Sequence, residues 1–177
     1  MMMSIRSAEP ADVPAMLAIY DRYVRETAVS FEYVTPSEQE FRARLQEHIS
    51  FYPWLVWEED GQVLGYAYAG RPFERAAYAW NAEISCYLDE RIHGKGVGRA
   101  LYAELEAILL RQGIRRVYAV ITSANQNSLA FHRALGYRDF AVFHNAGFKL
   151  GAWYDTIWLE KELCPAGSPN DFPAPWK

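Results

Sequence analysis

The 177-residue chain has only two cysteines, Cys86 and Cys164, too few for a disulfide framework or a cysteine metal cluster. That scarcity fits a reducing compartment, and a cytoplasmic protein is the expectation. No apolar run approaches the roughly 20 residues of a membrane-spanning helix, and Met1 to Arg6 does not read as a secretory leader. Basic residues are also short: 18 Lys and Arg stand against 22 Asp and Glu, scattered, for a net charge of −4. A nucleic-acid partner is therefore not expected, since such binders carry a clustered basic footprint. Internal repeats and low-complexity segments are absent.

What is present is a chain that is 51% apolar, long enough for one domain with a full core. Residues 1–164 read as that domain and residues 165–177 as a proline-rich tail, expected to pack poorly. Residues 4–7 form a first strand, and Met16, Ile19, Tyr20 and Tyr23 recur at helical spacing. Ser37 followed by Glu40 is a capping box opening a second helix faced by Phe41, Leu45 and Ile49. Residues 52–57 and 62–69 are β-rich and joined through Asp60-Gly61, a hairpin signal. Residues 77–88 alternate, placing Tyr78, Trp80, Ala82, Ile84, Cys86 and Leu88 on one face and Asn81, Glu83 and Ser85 on the other.

A third helix follows to about Arg111 and stops at Gln112-Gly113. Residues 117–122 are a buried strand, Asn125 to Leu135 a fourth helix, and residues 137–143 and 153–159 closing strands joined by a loop. The class is α/β, with helices covering a central sheet.

The turn between the long strand and the third helix, His93-Gly94-Lys95-Gly96-Val97-Gly98-Arg99, bares backbone amides where a helix begins. Amides without side chains, the positive end of the helix dipole, and the cations Lys95 and Arg99 make an anion site. No Gly-Lys-Ser/Thr closes it as in a Walker loop, and its glycines lack dinucleotide-fold spacing. A glycine turn can also merely connect a strand to a helix.

The element order, this turn, and the segment Asn125-Gln126-Asn127-Ser128-Leu129-Ala130-Phe131-His132-Arg133-Ala134-Leu135-Gly136-Tyr137 resemble the GNAT superfamily of acyl-CoA-dependent N-acetyltransferases. Further stretches are similar to its phosphinothricin N-acetyltransferase branch: Phe51 to Val56, Gly65 to Ala69, Arg75 to Trp80, Glu83 to Tyr87 and Gly147 to Asp155. The resemblance implies a mixed sheet of about seven strands flanked by four helices. It also implies acetyl-CoA as co-substrate, no metal, and the α-amino group of phosphinothricin or methionine sulfoximine or sulfone as acceptor. In that family residues 93–98 correspond to a pyrophosphate loop, Arg/Gln-x-x-Gly-x-Gly/Ala, whose first position is His93 here. The backbone of Cys86, Tyr87 and Leu88 would pair with the pantetheine arm, helped by a nearby β-bulge, and Asn125 and Ser128 would contact coenzyme A. Asn125 also reads as an N-cap.

Amine acetylation needs a base for the nitrogen and a proton for the departing thiolate. Glu83, mid-strand among apolar residues, is the candidate base; the plain alternative is an ion-pair partner for a cation such as Arg75. His132, two turns after Asn125, is the candidate acid or second base; a packing role is the alternative. An acceptor with two acidic groups needs cations, for which Arg71 and Arg75 are candidates, with Phe31, Tyr33 and Tyr78 as walls. The alternatives are an acetyltransferase for a peptide N-terminus or polyamine, and a non-catalytic acyl-CoA sensor. Surface aromatics around the closing strands point to a homodimer.

Overall fold

The computed structural model describes residues 2–165, 167 and 171–177. Seven strands form one sheet in the order β1-β2-β3-β4-β5-β7-β6. The strands are β1 (Met3–Ser7), β2 (Trp54–Glu59), β3 (Gln62–Gly70), β4 (Asn81–Leu88), β5 (Arg116–Thr122), β6 (Arg138–Lys149) and β7 (Ala152–Glu162). The helices are α1 (Val13–Glu26), α2 (Glu38–Ile49), α3 (Val97–Gln112) and α4 (Gln126–Ala134). No helix among the described residues is long and apolar enough to cross a membrane.

Alternation along the strands divides the core between two faces. Trp54, Val56 and Tyr66 pack with Met16, Ile19 and Val24 of α1 and Phe41 and Leu45 of α2. Leu55, Ala67, Ala82, Ile84, Val117 and Ala119 pack with Leu101, Leu105 and Leu109 of α3 and Leu129 of α4. Local signals seat the helices on these faces. The Ser37 hydroxyl accepts from the Glu40 amide at 3.2 Å while the Ser37 amide donates to the Glu40 carboxylate at 2.7 Å. Asn125 Oδ1 accepts from the Ser128 amide at 3.2 Å, and α3 ends at Gly113 with φ +97°.

Every neighbouring strand pair is antiparallel except β4 and β5, which pair in parallel only across Asn81, Ala82 and Glu83. Beyond Glu83 these two strands no longer pair, so the rest of β4 presents an unpaired backbone edge inside the molecule. That gap positions the site.

Four expectations are corrected. Residues 76–78 form a 3-10 turn, so β4 begins at Asn81; the alternation of Tyr78 and Trp80 arises outside a ladder. Register shifts fall between β2 and β3, at Trp57/Glu58 opposite Val63 to Gly65, and between β6 and β7, while β4 pairs with β3 without interruption. Pairing of β6 with β7 resumes at Gly147 to Lys149 after a register shift beyond Phe143, where Asn145 adopts φ +48°; the expected loop is mostly strand. The tail is docked at its end: the Trp176 indole donates to the Ile49 carbonyl at 3.1 Å and Phe172 stacks on Trp80. The Gln112 amide donates to the Phe51 and Ala174 carbonyls, both at 2.8 Å. Ala166, Ser168, Pro169 and Asn170 lie outside the described residues.

Candidate active site

Two cavities meet where β4 leaves β5. The first, of about 610 Å³, runs from residues 84–88 of β4 past the glycine turn to α4. Its lining includes Cys86, Tyr87, Leu88, His93, Gly94, Gly96, Val97, Gly98, Arg99, Asn125, Ser128 and His132. Of the residues expected to hold coenzyme A, only Lys95 is missing from it.

This cavity is built largely from backbone. Gly94 and Gly96 have φ of +73° and +81°, values that β-carbon-bearing residues adopt at a cost, and no atom lies within 4 Å of where a Cβ would stand. The turn therefore opens an unfilled cradle at the start of α3, where unpaired amides favour a phosphate. The free edge of β4 can take an extended amide chain as an added strand. The residues present thus fit a phosphopantetheine carrier. His93 does not extend from this cradle: its Nε2 lies 3.1 Å from the Leu88 carbonyl and 3.2 Å from the Tyr23 hydroxyl, which itself donates to that carbonyl at 2.7 Å. Tyr23, read in the sequence only as part of the first helix's spacing, anchors the end of β4.

The His132 side chain is 3% exposed and fully engaged. Its Nδ1 lies 2.7 Å from the Ser128 carbonyl, which can only accept, so Nδ1 carries the proton. Nε2, 2.8 Å from the Tyr102 hydroxyl, is then the acceptor. Burial lowers the His132 pKa, only partly opposed by the Ser128 bond, and leaves a neutral ring with no N–H free for a reacting sulfur. The hydroxyl it orients belongs to Tyr102, another lining residue, whose pKa burial pushes well above the usual tyrosine value. Sequence reading missed Tyr102 because its place on α3 looks like core. Burial also pushes the Cys86 thiol up to about 12, which removes it as an acyl-accepting nucleophile near neutrality.

The second cavity, of about 500 Å³, shares Val29, Ser85, Tyr87, Val120 and Thr122 with the first. Its other walls are Tyr20, Ser30, Phe31, Glu32, Tyr68, Glu83 and Thr156. Burial alone raises the Glu83 pKa, and among the described residues no cation is paired with it. Glu32 differs. Burial would raise it, but hydrogen bonds from Arg44 at 2.6 Å and Tyr20 at 2.7 Å hold it below the usual carboxylate range.

Phe31 thus stands where a wall was expected, whereas Arg71, Arg75 and Tyr78 line neither cavity. They sit exposed in residues 71–80, the connection that leaves the sheet after β3, with Arg71 near Glu74 and Tyr78 against Phe73. Tyr33 is also exposed and donates to the Phe148 carbonyl. Among the described residues no group of His, Cys, Asp and Glu is placed to hold a metal.

Residues 5–158 match the acetyltransferase (GNAT) domain family. The chain is 38% identical over 162 residues to a phosphinothricin N-acetyltransferase of Alcaligenes faecalis, covering 90% of this chain and 82% of that one. It is 35% identical to an L-methionine sulfoximine/L-methionine sulfone acetyltransferase of Pseudomonas aeruginosa, covering 93% and 97%. Among solved structures, a phosphinothricin acetyltransferase from Sinorhizobium meliloti in complex with acetyl-CoA superposes with a TM-score of 0.87 at 36% identity, covering 92% of this chain and 89% of that one.

Proposed function

The chain belongs to the GNAT acetyltransferase family and is an acetyl-CoA-dependent N-acetyltransferase, and from that premise we propose that it acetylates the α-amino group of phosphinothricin-like or methionine sulfoximine-like amino acids. The observation that carries the site assignment is Glu83: a half-buried carboxylate, paired with no cation among the described residues, on the strand whose free edge forms the other cavity. The first cavity is read as the coenzyme site and the second as the acceptor site.

Acetyl-CoA, when bound, supplies an activated acetyl carbonyl. Glu83 takes, directly or through water, the proton that the acceptor nitrogen must lose before it attacks. As the carbon–nitrogen bond forms and the carbon–sulfur bond breaks, the Tyr102 O–H turns from His132 Nε2 to the departing sulfur and gives it a proton; the proton taken by Glu83 passes to solvent, and the tyrosinate regains one from solvent once coenzyme A leaves. With Cys86 held as a thiol, transfer is direct within a ternary complex. Asn125 caps α4 and Ser128 bonds His132, so both hold the coenzyme wall whether or not they touch the ligand.

A second reading has one observation in its favour. The acceptor cavity carries the carboxylates of Glu32 and Glu83 and no lining cation, a balance that suits a polyamine. Against it, Glu32 is already engaged by Arg44. Thiol release with phosphinothricin, methionine sulfoximine, methionine sulfone, spermidine and a short peptide decides. Turnover confined to the first three supports the proposal, and loss in Arg75→Ala would give that exposed arginine a role in acid recognition. Turnover with spermidine or peptide alone overturns it. The exposed Phe140, Phe143, Phe148 and Trp153 are read as a homodimer contact, checked by sedimentation. The free thiols fit a cytoplasmic site.

A further inference from the structure

Lys149, at the end of β6, is 3% exposed. Its ammonium donates to the Val24 carbonyl at 2.6 Å and the Ser30 carbonyl at 2.5 Å. Val24 lies in the last turn of α1, where carbonyls have no partner within the helix. Ser30 belongs to the connection that carries Phe31 and Glu32 into the second cavity. Burial lowers the Lys149 pKa, with nearby Glu32 acting in the opposite direction. A cation held out of water needs its protons used, and two of them bind this one stretch of chain.

Two neighbours act on the same stretch. A Cβ on Gly147 would meet the Phe31 ring at 2.3 Å, so the ring occupies the space a side chain would take. The Phe148 carbonyl accepts from the Tyr33 hydroxyl. Three successive residues of β6 therefore hold residues 30–33 by a charge, a missing side chain and a carbonyl.

We infer that Lys149 is a positioning residue for acceptor recognition: by holding the Ser30 carbonyl, with Phe31 seated on Gly147, it fixes the wall of the cavity that contains Glu83. The inference rests on the reading of that cavity as the acceptor site. Lys149→Met should raise the KM for methionine sulfone on the order of tenfold while the KM for acetyl-CoA stays within twofold, since only one cavity loses its wall. Hydrogen exchange of residues 27–36 should accelerate, with exchange in α3 unchanged. An unchanged methionine sulfone KM overturns the inference, whatever the exchange shows.

Should Lys149→Met fail to fold, Gly147→Ala carries the test. It should raise the acceptor KM in the parent but not in a Phe31→Ala background, where every ring atom it would meet is gone; equal effects in both backgrounds overturn the inference. Should the parent acetylate none of the amino acids, the proposed acceptor fails on its own, and the exchange of residues 27–36 in Lys149→Met, unchanged or accelerated, decides the positioning role.

Discussion

The two cavities share a wall yet are made differently. The cavity proposed for the coenzyme is a backbone construction: a splayed strand edge, two left-handed glycines and a helix start. The cavity proposed for the acceptor is a side-chain construction whose walls come from α1, residues 29–32, β3, β4, β5 and β7, with Lys149 of β6 bonded to the Ser30 carbonyl behind it. The first rests on backbone freedom, with the His93 side chain folded back onto the Leu88 carbonyl and Tyr23. The second depends on particular charged and hydroxyl groups. A common pantetheine carrier and a variable acceptor are suited to that division.

Substitutions can break the division in order of effect. Glu83→Gln should lower turnover by about 10²- to 10⁴-fold, the usual range for a lost general base. It should also be more stable than the parent near pH 7: the fold raises the Glu83 pKa, so it favours the protonated form, and that stabilisation is present below the unfolded carboxylate value and lost as pH rises through the raised one. Urea titration at pH 7 checks the sign; a less stable variant would show that the carboxylate has a stabilising partner.

Tyr102→Phe should lower kcat about tenfold to a hundredfold with acetyl-CoA affinity retained, checked by steady-state kinetics with direct binding. Gly96→Ala meets no steric contact but must hold φ +81°, costing about 1–2 kcal/mol in that turn. The KM for acetyl-CoA should rise by up to about tenfold and the acceptor KM should not follow. The smallest effect belongs outside both cavities: Trp176→Ala should reduce stability by about 1–2 kcal/mol through lost packing and the Ile49 bond, with kinetics unchanged.

The same division explains what the sequence showed. Ser37 with Glu40, Asp60-Gly61, Asn125 and Gly113 are local signals that act within a few residues, and each stands where expected. The glycine turn is likewise local, so its place on the first cavity was legible, while Tyr102 in the same wall was not. The second cavity was legible only in part. Glu83 and Phe31 line it as expected, but Glu32, Tyr102 and Lys149 act through partners 12, 30 and 119 positions away, which no spacing rule reports. Arg71 and Arg75 were expected from charge complementarity, yet residues 71–80 carry them into solvent. The tail read as loose because proline-rich composition says nothing about Trp176 and the waiting Ile49 carbonyl.

The most direct test is the pH dependence of kcat/KM for the acceptor in the parent and in Glu83→Gln. A half-buried base with a raised pKa predicts an acid limb above the ordinary glutamate range, present in the parent and absent from the residual activity of the variant. An acid limb at ordinary carboxylate pH, or one that persists in Glu83→Gln, would contradict the placement of the base at the junction of the two cavities.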